Sequence, residues 1–124
     1  MPVPILKQGE MLIASMHSNL NDQDLMQLKD EIAARIGRFK SRGVVLDVSI
    51  LDVLDSFATR TLRAIAETAR LRGAETVIVG IQPDVAIAMV QLGLTLDGVL
   101  TALDFEEGMD LLVASIEGSR QVER

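Results

Sequence analysis

The apolar residues change period several times along the chain, and each change marks an element. Val3, Ile5 and Leu6, then Gln8-Gly9-Glu10, then Met11 to Ala14 predict two short strands closed by a tight turn, an opening hairpin. Asn19 to Asp24 is rich in capping side chains. Beyond it Leu25, Leu28, Ile32, Ile36 and Phe39 recur at helical spacing, which predicts an amphipathic helix ending near Ser41-Arg42-Gly43. Val44-Val45-Leu46 is an unbroken apolar run between Gly43 and Asp47, the pattern of a strand covered on both faces. After the loop from Asp47 to Asp55, Ala58, Leu62, Ile65 and Ala69 line one face of a second helix, which Gly73 stops. Arg60, Arg63, Glu67 and Arg70 fall largely on its other side.

Thr76 to Gly80 predicts a further buried strand, and Pro83 opens a short apolar helix running through Met89 and Leu92 to Gly93. A weak strand around Val99-Leu100 leads to Asp104, placed to cap a last helix with Met109, Leu112, Val113 and Ile116 inward. The polar tail from Gly118 to Arg124 is expected to fray. Strands alternating with helices imply an α/β fold with a mixed, mostly parallel sheet and right-handed crossovers. At 124 residues the chain is read as a single domain, residues 1–124, with its core over about 3–117 and the tail at 118–124.

Composition narrows the function more than the fold. Hydrophobic residues make up 48% and charged residues 24% of the chain, the profile of a globule that folds unaided. Aromatic content is 2%, only Phe39, Phe57 and Phe105, which argues against a platform for stacking bases or sugars. The net charge of −6, without a long run of Lys and Arg, makes nucleic acid and anionic membranes poor partners. There is no Cys, hence no disulfide, thiolate nucleophile or iron–sulfur cluster. Neither a signal-peptide pattern nor a run approaching ~18 apolar residues is present, so a cytoplasmic location is expected.

Catalytic options are few. His17 is the only histidine, which rules out a multi-histidine metal site, and its expected place is a loop or strand end. No serine has the neighbours of a nucleophile elbow, and the scattered glycines form neither a dinucleotide nor a phosphate-loop motif. Asp47, Asp52 and Asp55 share one strand-to-helix loop, where acids can hold a divalent cation or satisfy loop N–H groups and cap the next helix. The second reading is the expectation, so no metal and no cofactor are assigned. Ser56 stands where the second helix should start, either as its N-cap or as an exposed hydroxyl at an electropositive helix end.

The segment from Leu46 to Phe57, Leu-Asp-Val-Ser-Ile-Leu-Asp-Val-Leu-Asp-Ser-Phe, resembles the phosphoacceptor motif of the STAS (anti-sigma-factor antagonist) family. Gly73-Ala74 and the stretch from Val79 to Ala86 extend the resemblance, especially to stressosome STAS proteins of the short, STAS-only scaffold type. It covers the chain from Ile5 to about Leu112. What the resemblance implies is a STAS fold of about five strands and about four helices, and a non-enzymatic regulator that works by partner switching. An unphosphorylated scaffold would assemble, as a homo-oligomer or with sensor-linked STAS co-antagonists, into a stressosome that holds a serine/threonine switch kinase. Phosphorylation of Ser56 would release the kinase, and a cognate phosphatase would reset the site. The partner-binding surface implied is Asp52, Asp55, Ser56, Phe57, Thr59 and Arg60. A second acceptor found in many co-antagonists has no counterpart here, since Ala86-Ile87-Ala88-Met89 lacks a hydroxyl. The alternative reading is a STAS module that binds a small ligand or nucleotide.

Overall fold

Every residue from Val44 to Leu46 is completely buried, so the third strand needs cover on both faces. The computed structural model describes residues 1–122 and supplies that cover. The elements follow in the order β1 (Ile5–Gln8), β2 (Met11–Ser15), α1 (Asp22–Phe39), β3 (Gly43–Asp47), α2 (Ser56–Leu71), β4 (Glu75–Val79), α3 (Pro83–Gln91), β5 (Leu100–Ala102) and α4 (Phe105–Val122). The sheet has the strand order β1-β2-β3-β4-β5, with β1 antiparallel to β2 and all other pairs parallel. The hairpin is closed by Gly9 and Glu10, and Gly9 takes a φ of 59°, the left-handed value that the first residue of such a turn needs.

Side chains of a strand alternate between faces, and the two halves of the core follow that alternation. Leu12, Ala14, Val44, Leu46 and Ile78 join the larger core with Leu25, Leu28, Ile32 and Ile36 of α1 and Leu62, Ile65 and Ala69 of α2. Met11, Ile13, Val45, Val77 and Val79 meet Leu112 and Ile116 of α4 on the opposite face.

The helix starts are fixed by side chains. Asn21 accepts a hydrogen bond from the Asp24 N–H at 2.8 Å while Asp24 accepts one from the Asn21 N–H at 3.2 Å, a reciprocal capping box for α1. Asp104 accepts from the Glu107 N–H at 2.9 Å and starts α4 as expected. His17 lies just past β2, its Nε2 bonded to the Met1 carbonyl oxygen at 2.8 Å.

Four expectations are corrected in detail. Phe39 is the last residue of α1 and is 38% exposed, with Lys7 and Arg38 over its ring rather than core around it. Leu92 lies beyond α3 and is exposed. Val113 is exposed because α4 meets the sheet along the line of Met109, Leu112 and Ile116, and Val113 falls on its flank. The helix α4 continues through Val122, so residues 118–122 of the tail are helical, while 123 and 124 lie outside the described residues.

Asp24 is also the one buried carboxylate of α1. Burial pushes its pKa up, but the Asn21 N–H, the N-terminal ammonium at 3.2 Å and His17 outweigh burial and hold the carboxyl below the usual range. The unfolded chain therefore binds this proton more tightly than the folded one. The resulting stability is complete above the ordinary carboxylate range and is lost as pH falls through the lower folded-state value. Asp24→Asn should flatten the acid limb of a plot of unfolding free energy against pH; an unchanged acid limb would show that Asp24 does not shape it.

Candidate functional site

Asp47 ends β3 and turns the chain at once, because its Oδ1 accepts the Ser49 N–H at 2.9 Å. The Leu51 N–H donates to the Val48 carbonyl at 3.0 Å and closes the turn. Val48, Leu51 and Leu54 are buried and anchor the loop to the core, which forces Ile50, Asp52 and Val53 outward. A second loop supports it: Gln82 Nε2 donates to the Ser49 carbonyl at 2.9 Å. Gly80, with a φ of 82°, makes room for Ser49, whose Cβ would lie 2.7 Å from any Cβ placed there.

The loop delivers Asp55 to the start of α2. Asp55 is the N-cap, its Oδ1 accepting the Ala58 N–H at 2.7 Å while its carbonyl accepts the Thr59 N–H at 2.9 Å. Ser56 is therefore not the cap but the first helical residue, a correction that frees its side chain. It is exposed, and among the described residues its hydroxyl has no hydrogen-bond partner. The Ser56 and Phe57 N–H groups likewise lack an acceptor there and point along the helix axis at its positive end.

Of the surface expected from the sequence, Asp52, Asp55, Ser56 and Arg60 are exposed, with Arg60 one turn beyond Ser56 on the same side of α2. Phe57 is half-buried against the larger core. Thr59 does not belong to the surface. It is 1% exposed, because it falls on the arc of α2 that carries Leu62 and Ala66. Thr61 is buried too, and its hydroxyl donates to the Phe57 carbonyl at 2.9 Å.

The structure adds what the motif did not indicate. Between this loop and the start of α1 lies a cleft of about 300 Å³, rimmed by Asp22, Asp52 and Asp55 and by the apolar Ile50 and Val53. No Lys or Arg lines it. Ile50 and Val53 are 53% and 73% exposed, although an apolar residue in a short loop gives no periodic signal of which way it faces. Asp22 is distant in sequence, and only the folded sheet brings it near.

Asp47, Asp52 and Asp55 do not converge, and among the described residues no group of three or more His, Asp or Glu is placed to hold a metal ion. Among the same residues, no helix is long and apolar enough to cross a membrane.

Residues 3–107 match the family model described as the STAS domain. The chain belongs to the STAS family. Its sheet of five strands with four helices is the α/β arrangement expected from the strand and helix order. This STAS chain is similar to RsbS of Moorella thermoacetica, solved as a serine-to-glutamate variant: identity is 37%, the TM-score is 0.80, and the match covers 93% of this chain and 97% of that one. A chain from the stressosome, described as a signal integration and transduction hub, is 39% identical with a TM-score of 0.77, covering 90% and 97%. The RsbT co-antagonist protein RsbRA of Bacillus subtilis (strain 168) is 25% identical over 83 residues, 67% of this chain. The STAS chain spans only 30% of that relative's length.

Two outcomes follow from the geometry. Asp55→Ala should cost about 0.5–2 kcal/mol through the lost cap, whereas Ser56→Ala should stay within about 0.5 kcal/mol. Urea denaturation of the two variants checks this, and equal losses would return Ser56 to a capping role. EDTA should leave the melting temperature unchanged; a clear shift would point to a bound metal at the Asp47, Asp52 and Asp55 loop.

Proposed function

We propose that this STAS protein is a stressosome-type scaffold and antagonist that holds a serine/threonine kinase and releases it when Ser56 is phosphorylated. Family membership and the likeness to RsbS and to a stressosome chain support the scaffold or antagonist role. The observation that carries the switch is the state of Ser56: an exposed hydroxyl without a partner, beside N–H groups that are also without one. A kinase can reach such a hydroxyl without unfolding anything. Thr59 and Thr61 are buried and do not compete.

Phosphate on Ser56 would find the Ser56 and Phe57 N–H groups as donors, so the domain tolerates it. The consequence falls on the surface. About 1.5 to 2 negative charges arrive beside Asp52, Asp55 and Asp22, where a bound partner had excluded water. A partner fitted to Ile50, Val53 and a modest acidic rim must then desolvate or repel a much larger charge. The phosphorylated surface suits a phosphatase instead, and the sensor-linked STAS co-antagonists are the assembly partners in this reading. Such a protein acts in the cytoplasm and catalyses nothing itself.

The test uses wild type, Ser56→Ala, Ser56→Asp and enzymatically phosphorylated protein with the kinase encoded nearest to its gene. Intact mass should show one phosphate, mapped to Ser56. Kinase affinity should be retained by Ser56→Ala, fall partly for Ser56→Asp, whose single charge copies phosphate incompletely, and fall furthest for the phosphoprotein. Equal affinity across all four would overturn the reading, as would phosphate on Ser49.

A further inference from the structure

The end of the sheet opposite Ser56 carries a concentration of charge of the other sign. The connection from α1 to β3 and that from α2 to β4 enclose a hollow of about 480 Å³ lined by Gly37, Lys40, Ser41, Arg42, Arg72 and Gly73. A smaller hollow of about 210 Å³ shares Arg42 and Gly73 with it and adds Arg70, with Glu75 as its one carboxylate. On a chain of net charge −6, four cations thus face a single acid. Arg70 is tethered to the Gly98 carbonyl. Among the described residues, no carboxylate pairs with Lys40, Arg42 or Arg72.

Helix ends account for part of this charge. Both α1 and α2 finish here, and each C-terminus presents about half a negative charge that a nearby Lys or Arg stabilises. Three cations line the larger hollow, so about two positive charges remain in excess. Three further features stand beside this excess charge. Ser41 is 3% exposed with an unpartnered Oγ, and Arg42 Nε is also buried and unpartnered, although buried donors are ordinarily satisfied. Gly37 occupies a helix interior, where Ala would be more stable, and does so without a positive φ. What it provides is space: a Cβ there would sit 2.5 Å from Arg72 Nη2, so the missing side chain lets that guanidinium lie along α1.

We propose that this hollow binds a small phosphate-bearing anion, with Arg42 and Arg72 as its guanidinium partners, Lys40 as an added charge and the Ser41 hydroxyl as a buried donor. A guanidinium fork matches phosphate oxygens in pairs, and the volume suits a small ligand. The site is separate from Ser56, which lies at the other end of the 16-residue helix α2, about 24 Å away.

Inorganic pyrophosphate is the probe, titrated into the full chain at constant ionic strength with sodium chloride as the matched control. Amide NMR shifts should saturate at Gly37, Ser41, Arg42 and Gly73 and leave Ser56 unmoved. Arg42→Gln and Arg72→Gln should each weaken binding at least tenfold, with folding checked by circular dichroism. Gly37→Ala and Ser41→Ala separate a ligand site from a structural one: each should raise the melting temperature of the free protein and still weaken pyrophosphate binding. Equal shifts with chloride, or wild-type affinity in the arginine variants and in Gly37→Ala, would overturn the proposal and leave the cations as neutralisers of two helix ends.

Discussion

Burial of β3 on both faces is the constraint from which the rest of this STAS domain follows. Val44 and Leu46 face one layer and Val45 the other, and none of the three keeps contact with water. A strand of this kind needs parallel neighbours joined by helical crossovers, because a hairpin partner could not bring a layer with it. The crossovers fix where every loop emerges. Asp47 is the point at which β3 leaves the core, and the turn it makes there, held by Val48, Leu51 and Leu54, aims Asp55 and Ser56 at solvent. The exposure of one hydroxyl is therefore a remote effect of an apolar strand.

The same topology divides the charge of the molecule. In successive βα units every helix starts at the end of the sheet where the preceding strand finishes, and the long helices α1, α2 and α4 run back to the other end. Helix N-termini favour acids and C-termini favour bases. Asp22, Asp24, Asp55, Asp84, Glu106 and Glu107 gather accordingly at the starts, and Arg38 and Arg70 at the finishes. Parallel helices turn a local preference into a charge asymmetry of the whole domain. Each end then suits partners of a different kind.

The elements were legible wherever a period could be read. Leu25, Leu28, Ile32 and Ile36, or Ala58, Leu62, Ile65 and Ala69, announce a face by repetition, and the structure buries all of them. Legibility failed at element ends and in loops. Phe39 ends α1 and Leu92 falls just beyond α3, so each continues an apolar pattern to where core packing has already stopped, and Val113 sits beside a seam rather than on it. At the site, the sequence located the helix start but not which residue caps it, since Asp55 and Ser56 are adjacent and both are good caps. That choice rests on the single bond from the Ala58 N–H to Asp55. The acidic rim completed by Asp22 and the burial of Thr59 depend on packing between α1 and α2, which no local window of sequence contains.

The two margins of the sheet also constrain how copies of such a domain can meet. One margin is β1, four residues long, and the other is β5, only three. Short margins offer few unpaired backbone groups, so lengthening the sheet by a strand from another molecule yields little hydrogen bonding and no continuous apolar layer. Helix and loop surfaces are the better ground for copies of such a domain to meet, and their side chains can be charged or neutralised one at a time. An assembly held in that way can be dismantled by chemistry on a side chain, whereas one held by a backbone ladder could not.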